Sequence, residues 1–507
     1  MKVFKTAEIK ELDRYTIENE PIASICLMER ASRAIADAIL RHFNNSEPFA
    51  VFAGAGNNGG DALAVARMLV EAGRSVRVWS VAPNGRMSAD CAENLNRLKA
   101  IDIAVESVDD VFVAPQLQSS FVIIDALFGS GLNKPVTGLF ADVISFINQS
   151  PCRVVAIDIP SGLMGEDNSN NLYKNIVKAN LTLTLQFPKL SFFFAENEPY
   201  VGSFEILDIG LSREGIDKFP SEYNFIEKEN IVSLLRPRGK FAHKGIFGRA
   251  LLVAGSYGMA GASILSARSA MRSGVGLLTV NLPSCNNHIM QIALPEAMTI
   301  PDNCVEHISS AVTTDIYSAV AVGPGIGQNK KTEAALLTLI DNCSKPMVVD
   351  ADALNILSKN IEWLGRLPEG SVITPHLGEF ARLVGASATS YEALQKARSL
   401  AVNNNICVVL KGAYTVVVSP QGECSFNSSG NAGMATAGCG DSLTGIILAL
   451  LAGGYSSYDA ARIAVYVHGA AGDIAASSLG ETALMAGDIV DALPAVWQSL
   501  EQYNKGL

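Results

Sequence analysis

Short runs of β-branched and apolar residues alternate along this chain with stretches whose apolar positions recur every three to four residues. The early runs are Phe-Ala-Val-Phe-Ala from Phe49, Ser-Val-Arg-Val-Trp from Ser75, Phe-Val-Ile-Ile-Asp from Phe121 and Arg-Val-Val-Ala-Ile-Asp from Arg153. A helical pattern over 62–72 separates the first two, and a helical segment over 6–43 precedes them all. Continuous apolar runs, as opposed to strictly alternating ones, predict strands buried on both faces, and therefore a mostly parallel sheet covered by helices. The pattern weakens over 212–223, a polar stretch with Gly215 and Pro220, where a domain boundary is expected. A second series follows, with runs starting at Arg249, Leu277, Ala319, Met347, Ser371 and Ile406. The expected fold class is α/β in two domains, residues 1–212 and 222–507.

Composition narrows the function without naming it. The net charge of −11 and the lack of a Lys/Arg-rich run argue against a nucleic-acid or anionic-membrane surface. The nine cysteines include no C-x-x-C pair, which suits scattered thiols of a reducing compartment better than a disulfide or zinc framework. No signal pattern opens the chain, and its longest apolar run, 446–452, is far short of a membrane span. A cytoplasmic protein is expected, with neither nucleic acid nor membrane as partner.

The most informative stretch is Asn-Ala-Gly-Met-Ala-Thr-Ala-Gly-Cys-Gly-Asp over 431–441, followed at once by an apolar helical run. Small residues let backbone N–H groups turn toward one point in front of a helix N-terminus, which makes an anion cradle with the Asp441 carboxylate on its rim. A carboxylate beside a bound phosphate makes sense chiefly if it takes a proton during chemistry there. The plainer reading is a glycine-rich turn with an acidic cap. Cys439 within the loop is either a reactive thiol or simply a small residue that fits.

Further unusual residues stand after the runs of the second series: Gly255 to Ala262 in sequence, Gly-Pro-Gly-Ile-Gly at 323–327, Asp-Ala-Asp-Ala-Leu at 350–354, Thr-Pro-His-Leu-Gly-Glu-Phe at 374–380 and Lys-Gly-Ala-Tyr-Thr at 411–415. Strand ends are where open α/β sheets bind ligands. His376 alone would more often be a capping or core histidine than a ligand. Taken together in order, the loops and the Gly-x-Gly-Asp of 438–441 closely resemble the ADP-dependent NAD(P)H-hydrate dehydratases, a branch of the ribokinase-like fold, across 222–507. That resemblance places the nucleotide diphosphate on Lys411, Gly412, Ala413, Tyr414, Thr415 and Gly440. It places the hydrated nicotinamide against Ala262, Gly325, His376 and Asp441, implies Mg2+ with the ADP, and makes Asp441 the base.

In the first domain, Gly-Ala-Gly-Asn-Asn-Gly at 54–59 fits the dinucleotide fingerprint G-x-G-x-x-G. The acidic residue expected at the end of the next strand is absent at Trp79-Ser80-Val81, which disfavours ordinary NAD binding. Asp125 and Asp158 each end a run and could merely cap helices. With the run Asn57, Asn58, Gly59, Gly60 and Asp61 they resemble the NAD(P)H-hydrate epimerase domain over about 1–212. Carried over, Asn58, Asp125 and Ser161 would hold K+, an all-oxygen set suited to a hard, weakly charged cation. Residues 57–61, Asp158, and Gly129, Ser130, Gly131, Leu132, Asn133, Lys134 and Pro135 would hold the substrate. Asp158 is then either the acid/base at the hydroxyl-bearing ring carbon or a group that only orients the sugar. Ala62 stands where the family usually has glycine, and Leu163 to Asn168 departs from its acidic continuation.

The resemblance thus implies an N-terminal Rossmann-like three-layer sandwich joined to a C-terminal ribokinase-like α/β domain. It implies a repair enzyme for NADH and NADPH hydrates, with ADP as co-substrate and a homo-oligomer as the expected assembly. An ATP-dependent small-molecule kinase fused to a cofactor-binding domain is the competing enzyme, and a catalytically dead nucleotide sensor is the competing class.

Overall fold

Seven strands of the N-terminal unit pair in parallel throughout: β1 (Phe49–Ala53), β2 (Val76–Val81), β3 (Val105–Val108), β4 (Val122–Ala126), β5 (Arg153–Ile157), β6 (Leu181–Leu185) and β7 (Ser203–Leu207), in the order β3-β2-β1-β4-β5-β6-β7. The computed structural model describes residues 1–506, and they divide into two units, Lys2–Glu222 and Tyr223–Ala388 with the chain from Glu392 on. In β1, Phe49, Val51 and Ala53 pack with Ile35, Ile39 and Leu63 of α2 (Ser24–His42) and α3 (Asn57–Glu71), while Ala50 and Phe52 turn to the other layer. This two-sided burial is why the runs are continuously apolar. The strand order reverses between β1 and β4, which opens a crevice at their carboxyl ends.

The N-terminal segment is two helices, α1 (Thr6–Asn19) and α2, not one. Pro21 causes the break, because its ring disfavours helical geometry at Glu20 and it has no N–H to donate. Helix α3 begins at Asn57, five residues before the apolar pattern at 62, so residues 57–61 form its first turn. Only glycine fits at two points there. A Cβ on Gly54 would lie 2.0 Å from the Leu127 carbonyl oxygen, and one on Gly59 would lie 1.8 Å from that of Gly54. Helices α4 (Ala89–Lys99) and α5 (Leu139–Gln149) follow.

The C-terminal unit carries β8 (Tyr223–Ile226), β9 (Arg249–Val253), β10 (Leu277–Pro283), β11 (Met298–Asp302), β12 (Ala319–Val322), β13 (Met347–Val349), β14 (Val372–Ile373), β15 (Cys407–Leu410), β16 (Val416–Val418) and β17 (Cys424–Asn427). Their order is β8-β17-β16-β15-β14-β13-β12-β9-β10-β11, parallel except where β16 runs against β15 and β17. The pieces β8, β11, β16 and β17, three to five residues long, fall outside the runs read from the sequence.

One helix organises this unit. Helix α8 (Cys439–Ala452) is apolar around its whole circumference, with Leu443 and every residue from 445 to 452 buried, so it lies inside the unit and not upon it. It presses on α6 (Ala260–Arg272) at Gly445, where a Cβ would stand 2.0 Å from the Ser266 carbonyl oxygen. Two other helices are used below, α7 (Leu377–Val384) and α9 (Ser457–Leu479).

Replacing Gly445 by alanine is expected to cost about 1–3 kcal/mol through overpacking, read as a lower denaturant midpoint of the C-terminal unit. The Gly487→Ala control, where a Cβ meets nothing within 4 Å, is expected to stay within about 0.5 kcal/mol of the parent.

Candidate active sites

In the C-terminal unit the residues with chemistry gather where β13, β14 and β15 end and α8 begins. The αL conformation of Gly438 (φ 91°) caps α8, which puts Gly440 and Asp441 in its first turn, where unpaired N–H groups and the helix dipole favour an anion. Lys411 follows β15 and points its ammonium at Asp350 Oδ1 (2.9 Å), with Glu379 Oε2 at 3.9 Å. Asp350 is fully buried at the end of β13, and its other oxygen accepts from the Thr444 hydroxyl of α8 (2.7 Å). Burial alone would raise its pKa, yet the Lys411 charge and these hydrogen bonds hold it below the usual carboxylate range. Burial likewise opposes the Lys411 ammonium, but Asp350 and then Glu379 more than offset this. A Cβ on Gly440 would sit 3.1 Å from Lys411 Nζ, so the glycine leaves that ammonium open to the cradle.

Asp441 has no cation of its own. Burial, with the Asp350 charge next, pushes its carboxyl up to about 7, against the weaker pull of Lys411. Such a group exchanges a proton near neutrality. Behind the loop, His468 of α9 bonds Ser442 Oγ at 3.0 Å, and burial lowers its imidazole to about 4, so it supports the loop as a neutral group. Burial also raises the Cys439 thiol, which makes it a poor nucleophile and favours the small-residue reading.

His376 is the N-cap of α7. Its Nδ1 accepts from the N–H of Gly378 (2.9 Å) and Glu379 (3.3 Å), while Glu379 Oε2 accepts from the His376 N–H (2.9 Å). This reciprocal box leaves Nε2 as the protonated nitrogen on a ring that is half exposed. Ala262 lies in the first turn of α6, and Gly325 (φ 62°) packs directly on it, a Cβ there being 3.0 Å from that of Ala262. Asp352 accepts from the Gly327 N–H (2.9 Å) and also bears on Asp441, which ties the 323–327 loop to the acidic centre. Gly412 and Ala413 are exposed, and Thr415 closes their turn by donating to the Gly412 carbonyl (3.0 Å), with Tyr414 half-buried beside it.

In the N-terminal unit Asn58 and Ser161 converge on one backbone carbonyl, and Ser161 links them to Asp125. Asn58 Nδ2 donates to the Phe128 oxygen (2.9 Å) and to that of Ile157 (3.2 Å), which turns Oδ1 the other way. Ser161 Oγ stands 3.3 Å from the same Phe128 oxygen, and the Ser161 N–H donates to Asp125 Oδ2 (2.8 Å). Burial drives the fully enclosed Asp125 up to about 6 in spite of these bonds. A buried carboxylate without a cation, ringed by amide, hydroxyl and carbonyl oxygens, fits a monovalent hard ion. Gly129 packs on Asn58 at 3.1 Å, whereas Ser130, Gly131, Leu132, Asn133, Lys134 and Pro135 continue into a largely open loop.

Asp158 directly follows β5 and lies in the left-handed region (φ 66°). Its Oδ1 accepts from Lys189 Nζ (2.6 Å) and the Leu185 N–H (3.3 Å). Lys189 is 2% exposed, and its ammonium also donates to Thr184 Oγ1 (3.0 Å) and the Phe187 oxygen (3.1 Å). Lys189 and Asp350 were assigned no role from the sequence, although Asp350 opens the motif at 350–354, because the partner of each lies far away along the chain. Within 57–61, Asn57 is exposed, Asn58 and Asp61 are buried, and Gly59 and Gly60 face tight packing, a Cβ on Gly60 being 3.0 Å from Met28 Sδ.

Comparisons with known proteins agree with both halves. A family model described as NAD(P)H-hydrate dehydratase matches residues 250–495, and one described as YjeF-related protein N-terminus matches 24–191. The bifunctional NAD(P)H-hydrate repair enzyme of Moorella thermoacetica is 34% identical, covering 99% of this chain and 98% of its own. That of Escherichia coli K12 is 33% identical over 93% and 89%. A solved ribokinase-like superfamily protein from Enterococcus faecalis covers 56% of this chain and 98% of its own at 26% identity and a TM-score of 0.50. Near-complete coverage in both directions by relatives of this identity decides the assignment: the chain belongs to the bifunctional NAD(P)H-hydrate repair enzymes, in which an epimerase unit precedes a ribokinase-like dehydratase.

Proposed function

We propose that the C-terminal site dehydrates the S hydrate of NADH or NADPH with ADP, and that the crevice of the N-terminal sheet interconverts the R and S hydrates to feed it. The observation that carries the first half is Asp441 itself, a carboxyl tuned near neutrality on the rim of a helix N-terminus, beside an ammonium that Asp350 holds in place. The ADP phosphates lie on the N–H groups of 438–440 and on Lys411, with Gly412, Ala413, Tyr414 and Thr415 against the nucleotide. Asp441 takes the proton from the ring hydroxyl as it attacks the β-phosphorus, and AMP departs. Inorganic phosphate then leaves the ring carbon as the ring nitrogen donates its electron pair, and the resulting iminium loses a proton from the adjacent ring carbon to the departing phosphate, restoring the ring double bond of the reduced nicotinamide. Ala262, Gly325 and the Nε2–H of His376 bound the nicotinamide.

Mg2+ would neutralise phosphate charge. The ion would be held chiefly by the nucleotide phosphates, being octahedral and keeping several of its own ligands. In the N-terminal unit K+ would rest on Asn58, Asp125, Ser161 and the Phe128 carbonyl, fixing the loop from Gly129 to Pro135, with residues 57–61 and Asp158 toward the substrate. Among the described residues no helix is long and apolar enough to cross a membrane.

The purified protein, given a mixed R/S preparation of NADH hydrate with ADP, is expected to restore the near-ultraviolet band of reduced nicotinamide completely. Recovery halting at the S fraction would remove the epimerase, and phosphorylation of an unrelated alcohol by ATP without any recovery would favour the kinase reading. Asp441→Asn is expected to lose about 10²–10⁴-fold in dehydration rate. As the base must be ionised, the parent rate is expected to rise with pH through about 7, and a flat profile would exclude Asp441 as base. Potassium chloride is expected to raise the melting temperature of the N-terminal unit above its value in equal lithium chloride, and Asp125→Asn to abolish the difference.

A further inference from the structure

His376 and Lys411 stand side by side, the first bounding the nicotinamide and the second holding phosphate in the reading above. Strands β14 and β15 run in parallel register, and past their ends the two segments meet again. There the Lys411 N–H donates to the Pro375 carbonyl (2.9 Å), and His376 pairs with Lys411 in an isolated parallel bridge. Beside both lies a carboxylate to which the dehydration gives no part. Glu379 is in the first turn of α7 and is buried, and Phe380 and Leu383 anchor that helix in the core.

This one carboxylate reaches both neighbours. Its Oε2 accepts from the His376 N–H (2.9 Å) and stands 3.9 Å from the Lys411 ammonium, while Oε1 lies 3.6 Å from His376 Nε2. The imidazole is held there by the N–H groups of Gly378 and Glu379 on Nδ1, and by the space over Gly378, where a Cβ would meet His376 Cε1 at 2.9 Å. Lys411 gives its short bond to Asp350, so Glu379 is the looser partner of the ammonium. A capping box needs only an acceptor at this helical position, and glutamine supplies one as well as glutamate. What glutamine lacks is the charge, which here bears on the Nε2–H and on the ammonium together, in an enclosed place where water screens it little.

We propose, resting on the dehydratase reading above, that Glu379 is a positioning residue that couples the hydrate site to the nucleotide site. Phosphates seated on Lys411 compete for its ammonium. The Glu379 charge is then left to His376, whose Nε2–H it draws into one orientation at the nicotinamide pocket. ADP thereby tightens the binding of the nicotinamide ligand, and by reciprocity that ligand tightens ADP by the same factor.

The experiment titrates Mg2+ and ADP into the full chain by calorimetry, with and without saturating NADPH, the repaired product, which fills the hydrate site without reacting. In the parent, NADPH is expected to lower the Kd for ADP about fivefold or more. In Glu379→Gln that factor is expected to fall below about twofold, while ADP alone binds at least as tightly as to the parent, because a negative charge near the phosphates has gone. A merely structural role would weaken ADP alone. Gly378→Ala crowds the imidazole without touching the Glu379 or Lys411 side chains, and it is expected to lose the coupling with ADP alone binding as in the parent. A parent without coupling, or either variant with the full factor, overturns the proposal. A parent that restores no reduced nicotinamide from the S hydrate and ADP overturns the dehydratase reading itself.

Discussion

In each unit a lysine, enclosed at Lys189 and largely enclosed at Lys411, is set against an aspartate at the end of a parallel strand. Lys411 on Asp350 and Lys189 on Asp158 are the pairs. A buried ammonium is tolerable only beside a carboxylate, so each pair fixes where its loop can lie. Some buried carboxyls without an ammonium of their own respond to the same enclosure: burial raises Asp441 to about 7 in one unit, and in the other it raises Asp125 to about 6 and Asp61 well above the carboxylate range.

Helix starts supply the rest of each crevice, and close backbone contact decides where they lie. Gly59 lets α3 sit against the turn after β1, and Gly445 lets α8 sit against α6. The first turn of α3 carries Asn57, Asn58 and Asp61, and that of α8 carries Gly440 and Asp441. Two unrelated chemistries therefore use one device, a helix N-terminus aimed at the carboxyl edge of a parallel sheet. His468, neutral and enclosed, stiffens the second of these from behind.

The α/β class and the long central strands were legible because strands covered on both faces must be apolar at every position. Of the short pieces, β8, β11 and β17 were not, since four or five residues of mixed polarity have no period to detect. Asp441 could be picked out because the glycines that expose its helix start lie beside it in sequence. The pairing of Lys189 with Asp158 and of Lys411 with Asp350 could not, since a buried ion pair leaves no local trace when its members are 31 or 61 residues apart. The run at 57–61 read as uniform, although its glycines serve packing while Asn58 and Asp61 face other polar groups.

The pairing of β8 with β17 bears on how the protein is made. Tyr223–Ile226 leads into the C-terminal unit, yet its hydrogen-bonding neighbour is Cys424–Asn427. On a ribosome releasing the chain from its amino end, β8 emerges about 200 residues before the strand that covers it, and such distant closure is slow. The N-terminal sheet pairs only within its own span and can be complete before then. The first half of the chain is thus able to fold during synthesis, while the second must keep an open strand edge until nearly all of it has appeared. That interval is when a nascent chain is most exposed to wrong pairing.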